Sequence, residues 1–199
     1  NNSRSNRKNK KIKSNRIKYI CCHHEQAVTM AAESYARMKK TLGVSIVTTG
    51  PGGTNAITGI TGAWMDSVPT LTISGQVFLE QTIKDTNLRQ LGIQEINIVD
   101  IVKPITKYAV MVERPKDVIY EIQKAITIAN DGRPGPTWVD IPANIQNAKI
   151  DKKKLIGFKP NKENTNHQAL QTKIRNIAKL FLKYDRPVLH LGQGVKIAG

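Results

Sequence analysis

The sequence predicts an α/β fold. It reads as a doubly wound, mostly parallel sheet with helices on both faces, followed by the truncated start of a second α/β domain. Three observations predict it. Short apolar runs alternate with segments of helical periodicity, the pattern of βαβ units and a parallel sheet. Gly/Pro breaks separate them, notably Gly50-Pro51-Gly52-Gly53 and Gly132-Arg133-Pro134-Gly135-Pro136. A hydrophobic content of 39% over 199 residues is enough for one core and the beginning of another, which excludes a disordered chain.

The elements follow in order. Residues 1–16 hold Asn, Ser, Lys and Arg with one Ile and read as a disordered basic tail. Ile17 to Cys21 has strand character. Glu25 to Lys40 reads as a helix, with Val28, Ala31, Ala32, Tyr35 and Ala36 on one face. Gly43 to Thr48 is a short apolar strand, and Thr54 to Trp64 resumes helical spacing through Ala56, Ile57, Ile60 and Ala63. Trp64 and Met65, on that helix of small residues, read as core or dimer contacts. Thr70 to Ser74 is another strand. Residues 76–92 are polar and irregular, and a loop of that length inside a compact domain is usually functional. Ile93 to Val102 reads as a short helix ending before Pro104, and Lys107 to Val112 as a strand. Pro115 to Asn130 is an amphipathic helix with proline in its first turn. Thr137 to Ile141 closes a domain spanning 17–142. Residues 143–167, rich in Lys and Asn, read as a linker. Within 168–199, Gln168 to Lys183 is helical and Pro187 to Leu191 strand-like, an incomplete second domain. One helix and one strand cannot close a core, so the chain reads as a fragment.

The net charge of +16 first suggests nucleic acid. Its distribution argues against that. Eight Lys and Arg precede the first acid, Glu25, while the body of the chain mixes both signs. Blocks of like charge are usually solvated tails, and this one has no interleaved aromatics. Two adjacent cysteines, Cys21 and Cys22, offer no disulfide framework and fit a reducing compartment, the cytoplasm. The basic, acid-free start leaves an organelle transit segment open. No apolar run reaches the ~18 residues of a membrane span. Cys21-Cys22-His23-His24 holds soft ligand types, but neighbours on a strand face opposite ways, so no metal site is expected.

Two places carry candidate chemistry. Glu25 follows a strand and opens a helix, where an acid also complements the helix dipole. The stretch Gly50-Pro51-Gly52-Gly53-Thr54-Asn55 lies between a strand and a helix, where open parallel sheets bind ligands. It is neither G-x-G-x-x-G nor a Walker loop.

These residues belong to a longer series. It runs His24-Glu25-Gln26, Ala31-Ala32-Glu33-Ser34-Tyr35-Ala36-Arg37, Thr49-Gly50-Pro51-Gly52-Gly53-Thr54-Asn55, Asp66-Ser67-Val68-Pro69 and Ser74-Gly75-Gln76-Val77. It continues through Gln94-Glu95 and Gly132-Arg133-Pro134-Gly135-Pro136 to Val139-Asp140-Ile141-Pro142. In this order the series resembles the pyrimidine-binding domain of thiamin-diphosphate-dependent enzymes of the acetolactate-synthase type. The resemblance covers about residues 17–148. Residues 168–199 look like the start of that family's central domain.

The resemblance implies specific roles. Glu25 matches the glutamate that hydrogen-bonds the cofactor's aminopyrimidine and activates it, so that the cofactor becomes the electron sink for decarboxylating a 2-oxo acid. A buried carboxyl with raised proton affinity would suit that task. Pro51, Gly52 and Asn55 match positions lining the pyrimidine pocket. Gln94 matches a glutamine reaching the reacting centre from the loop, and Gln76 supports the pocket from behind. Phe78 stands where acetolactate synthases usually have proline. The Gly-Asp-Gly motif that holds diphosphate and Mg2+ in the family does not occur in this sequence, so no metal ligand is assigned. A flavin is left open, with nothing in these residues to support it. The family builds its site between subunits, which implies a homodimer or homotetramer. This chain alone is therefore expected to be inactive and to bind the cofactor weakly. The alternative reading is a non-catalytic, truncated pyrimidine-like domain whose basic tail binds an acidic partner or nucleic acid.

Overall fold

The computed structural model describes residues 17–84, 86–160 and 167–198. The basic tail, residues 1–16, lies outside them, as does part of the expected linker. Among the described residues the sheet has four strands: β1 (Gly43–Val47), β2 (Thr70–Gln76), β3 (Tyr108–Met111) and β4 (Pro136–Pro142). Their order is β1-β2-β4-β3, and every pairing is parallel.

Helices cover both faces. On one lie α1 (Glu25–Lys39), α2 (Pro51–Met65) and the short α3 (Ile98–Val102). Their core joins Val47, Ala56, Ile60, Ile98, Val102 and the fully buried Trp138. On the other face α4 (Val118–Asn130) seats Ala125 against Leu71, Val139 and Ile141. The sheet is a layer between two apolar cores, as the continuous apolar strands required.

α1 and α2 meet through small residues. Thr29, Ala32 and Ala36 on α1 are buried, as are Ala56, Gly59 and Ala63 on α2. Gly59 is the closest approach: a Cβ there would lie 2.4 Å from Thr29 Oγ1 and 2.8 Å from the Met30 backbone nitrogen. The Thr29 hydroxyl donates across the interface to the Ala56 carbonyl at 3.0 Å. Small side chains let backbones approach this closely, which is why glycines poor for an isolated helix are tolerated here.

Several boundaries differ from the sequence expectations, each for a physical reason. α2 starts at Pro51 rather than Thr54, because proline at a first helical position gives up an N–H that has no helical partner anyway. α3 starts at Ile98, not Ile93. Gln94 has φ +60, which breaks a helix, and the Asn97 side chain caps the new start by accepting from the Asp100 amide. Residues 115–117 form a 3-10 turn before α4. The expected linker opens with a short helix, α5 (Ala143–Gln146), whose Ile145 is buried. Further on, the Phe158 amide donates to Gln123 and its ring meets Tyr120 edge-on at 5.4 Å, so this stretch packs onto α4.

Two strands expected from composition do not form. Ile17 to Cys21 has no ladder, and Ile17 and Ile20 are each 91% exposed. Pro187 to Leu191 has none either, with Val188 equally exposed. β-branched residues favour a strand only where a neighbouring strand supplies hydrogen bonds and packing. The helix expected from Gln168 forms as α6 (His167–Lys183), with no buried residue, and α7 (Gln193–Ala198) follows it. Trp64 and Met65 are exposed in this chain, which removes the core reading. Among the described residues, no helix is long and apolar enough to cross a membrane.

Candidate functional site

The carboxyl ends of β1 and β2 point at a cleft of about 760 Å3. Its wall includes Glu25 from the start of α1, Thr49 from the turn after β1, and Ser74 and Gln76 from β2. This is where ligands bind in open parallel sheets.

Glu25 owes its position to local chemistry. His24 is the N-cap of α1, and its Nδ1 accepts from the Gln26 amide at 3.1 Å. That cap sets the first helical turn and therefore the carboxylate on it. Asn55 Nδ2, one turn into α2, donates to Glu25 Oε2 at 3.1 Å. On the other side, Oε1 lies 3.6 Å from where a Cβ on Gly52 would be. Such a Cβ would also fall 2.6 Å from Thr48 Cγ2, so a side chain at 52 would crowd Thr48 and occupy the space beside the carboxylate.

The structure corrects the expected electrostatics of Glu25. A buried carboxyl with raised proton affinity was anticipated. Instead Glu25 is half-buried and held below the ordinary glutamate range, first by hydrogen bonding to its own backbone amide and then by Asn55. Desolvation opposes this, and His24 adds a small lowering. Amides at a helix start favour the charged form, and here they outweigh burial.

The turn before α2 is tightly specified. Gly50 caps the helix with φ +59 and ψ −122, a conformation suited to glycine alone. The Gln94 carbonyl sits 2.2 Å from where a Cβ on Gly50 would be, so loop backbone closes directly over the turn. Pro51 is exposed and opens α2.

Of the expected residues, the structure thus brings Glu25, Gly52 and Asn55 together. It places Gln94 over the turn by its backbone, with an exposed side chain in a separate shallow hollow of residues 89–94. Sequence reasoning placed Gln76 behind the pocket but missed the buried acid that it bonds beneath the cleft. Asp140 on β4 is 1% exposed. Its Oδ1 accepts from the Ser74 hydroxyl at 2.5 Å and its Oδ2 from Gln76 Nε2 at 3.0 Å. Trp138 Nε1 donates to the same Ser74 oxygen at 2.8 Å. Burial pushes the Asp140 carboxyl up to about 6, against the lowering effect of both donors. The available signal was a lone acid in an otherwise apolar central strand, between Val139 and Ile141.

Residues 4–101 match the family model described as thiamine pyrophosphate enzyme, N-terminal TPP binding domain. Over these residues the chain is similar to thiamin-diphosphate-dependent enzymes of the acetolactate-synthase type. Its curated relatives include the acetolactate synthase large subunit of Buchnera aphidicola subsp. Schizaphis graminum, 37% identical over 182 residues, covering 90% of this chain and 31% of the relative. The acetolactate synthase large subunit of Corynebacterium glutamicum is 37% identical over 187 residues, covering 92% of this chain and 28% of the relative. The acetolactate synthase of Arthrospira platensis is 35% identical over 190 residues, covering 92% and 31%. The chain therefore spans under a third of the length of these relatives.

Proposed function

We propose that this chain supplies the pyrimidine side of a thiamin-diphosphate site in a carboligase or decarboxylase of 2-oxo acids, with Glu25 as the residue that activates the cofactor. One observation carries the reading: an ionised carboxylate at the strand ends, steered by Asn55 from one side and left open by Gly52 on the other. The fit rests on that cradle, which a side chain at 52 would fill.

Glu25 would accept a hydrogen bond from the cofactor's ring or exchange a proton with it at a carboxylate oxygen. Asn55 would keep the other oxygen fixed while this happens. The cofactor, when bound, supplies the electron sink for decarboxylation. On this reading the diphosphate, Mg2+ and any FAD would be held by groups other than these residues. The working site on this reading is shared with a diphosphate-binding domain, in a cytoplasmic homodimer or homotetramer.

The test is a titration of the isotope-labelled chain with thiamin diphosphate and Mg2+, followed by NMR. The expected result is weak, millimolar binding, with shifts concentrated at the amides of Glu25, Gly52 and Asn55 and lost in Glu25→Gln. Shifts scattered elsewhere, or unchanged by Glu25→Gln, would refute the site. Micromolar, magnesium-dependent binding in calorimetry would refute the half-site reading. In a protein carrying both halves, Glu25→Gln should lower turnover by at least about 100-fold, the usual scale for a proton-transfer group.

A further inference from the structure

The mechanism above uses neither Asp140 nor Gln76, yet these two are the most densely bonded polar side chains beneath the cleft. Gln76 satisfies its whole amide. Its Oε1 accepts from the Thr49 hydroxyl at 2.7 Å and from the Val77 amide at 3.0 Å. Its Nε2 donates to the Ile96 carbonyl and to Asp140 Oδ2, both at 3.0 Å. One amide thus ties three places together: the turn that leads into Gly50, the start of the 77–97 loop, and the end of that loop. Asp140 is the anchor beneath it, fixed in turn by Ser74 and through Ser74 by Trp138.

The loop has little apolar packing of its own, and besides Gln76 it is tied by the Leu79 amide to Asn144 and by Lys84 to Glu113. Phe78, Leu88, Leu91 and Ile93 are all about half exposed or more. Its internal staple is Glu95, 3% exposed, which accepts from the Ile83 and Leu91 amides. Glu95 holds the loop to itself, whereas Gln76 holds it to the sheet.

We propose that Asp140 is a positioning residue for the candidate site, acting through Gln76 to hold both ends of the 77–97 loop and the Thr49 turn in register with the cleft. The proposal rests on the functional reading above for what the site does, but not for how the loop is held. A buried carboxylate costs stability unless it is fully hydrogen-bonded, and an apolar residue would fill a central strand more cheaply. Its presence is explained if it has to accept from Gln76 and so orient that amide. Charge-assisted bonds of this kind are about twice as strong as neutral ones.

The test is amide hydrogen exchange on the full chain without cofactor, so that the outcome does not depend on whether thiamin binds. In Asp140→Ala, Val77, whose amide is held by Gln76, and the amides around Ile96 should exchange at least about tenfold faster. Leu71 and Val139, deep in the sheet, should keep their protection. Asp140→Asn should restore most of the loop protection, because its side-chain oxygen still accepts from Gln76, though without the charge. Uniform acceleration of sheet and loop together would mean a merely structural role and would overturn the proposal. Should Asp140→Ala not fold, Gln76→Met removes the same ties while leaving the Ser74–Asp140 pair. It must open the same amides, and a fully protected loop in that variant would overturn the proposal equally. Loss of thiamin-dependent shifts with loop protection intact would count against the functional reading alone.

Discussion

Replacing Gly59 by alanine tests the close approach of α1 and α2. The added methyl carbon would lie 2.4 Å from Thr29 Oγ1, 2.8 Å from Thr29 Cβ and 2.8 Å from the Met30 nitrogen. The Thr29 side chain could rotate, but the Met30 backbone cannot, so α1 and α2 must separate. Overpacking of this kind costs about 1–3 kcal/mol. Stretching the buried Thr29–Ala56 hydrogen bond adds about 1 kcal/mol. Alanine regains about 1 kcal/mol over glycine in helix propensity. The net expectation is destabilisation by roughly 1–3 kcal/mol, seen as a fall in melting temperature of roughly 2–12 °C for a chain of this size. Circular dichroism melts measure it. Thr58→Ala, on the exposed side of the same helix, is the control and should leave stability unchanged or slightly raised. Because Glu25 and Asn55 sit on the two separated helices, the Asn55 side-chain NMR signal should shift as well. A Gly59→Ala melt equal to or above the parent would refute the close-approach argument.

Other outcomes follow from the same structure. Removing the Asn55 donor with Asn55→Ala should raise the Glu25 pKa toward the ordinary glutamate range, as read by carboxyl carbon shifts; no change would mean the helix-start amide alone holds it down. Asp140 has a folded pKa raised to about 6, so its favourable contribution is complete below the unfolded carboxylate value and lost as pH rises from about 4 through 6. That window is worth about 3 kcal/mol at one pKa unit per 1.36 kcal/mol, and urea midpoints in Asp140→Asn should lack it. Glu95→Ala frees the Ile83 and Leu91 amides and should speed tryptic cleavage at Arg89 several-fold, with the sheet's melting temperature little changed; unaltered cleavage would show the staple to be dispensable.

How far the sequence could be read depended on what each residue needed from elsewhere. α4 was legible because its apolar spacing, the proline in the turn before it and its amphipathic faces are all local. β1, β2 and β4 were legible as apolar runs bounded by breaks. Ile17–Cys21 and Pro187–Leu191 have the same composition, but a strand also needs a partner edge, which no local pattern encodes. The meeting of Glu25 with Asn55 spans 30 positions and was accessible through the motif series, not through periodicity. The direction of the Glu25 pKa was misjudged because burial was assumed, while its own helix-start amide and then the Asn55 donor decided it. Asp140 was visible as an anomaly in β4, yet its partners come from β2, so its work could be named only with the sheet assembled.

Gln76 has one further consequence. A side-chain amide set between the Val77 N–H, the Ile96 carbonyl and the Asp140 carboxylate fits only one way round. Turned over, it would face donor with donor and acceptor with acceptor. The position therefore discriminates by polarity and not by size. Glutamate matches glutamine almost atom for atom, yet it would set two buried carboxyl groups against each other, and the two could not both ionise without repulsion. Hydrolysis of this single amide would alter the mass by about one unit and leave the outline of the fold untouched, while turning its best-tied knot into a point of repulsion.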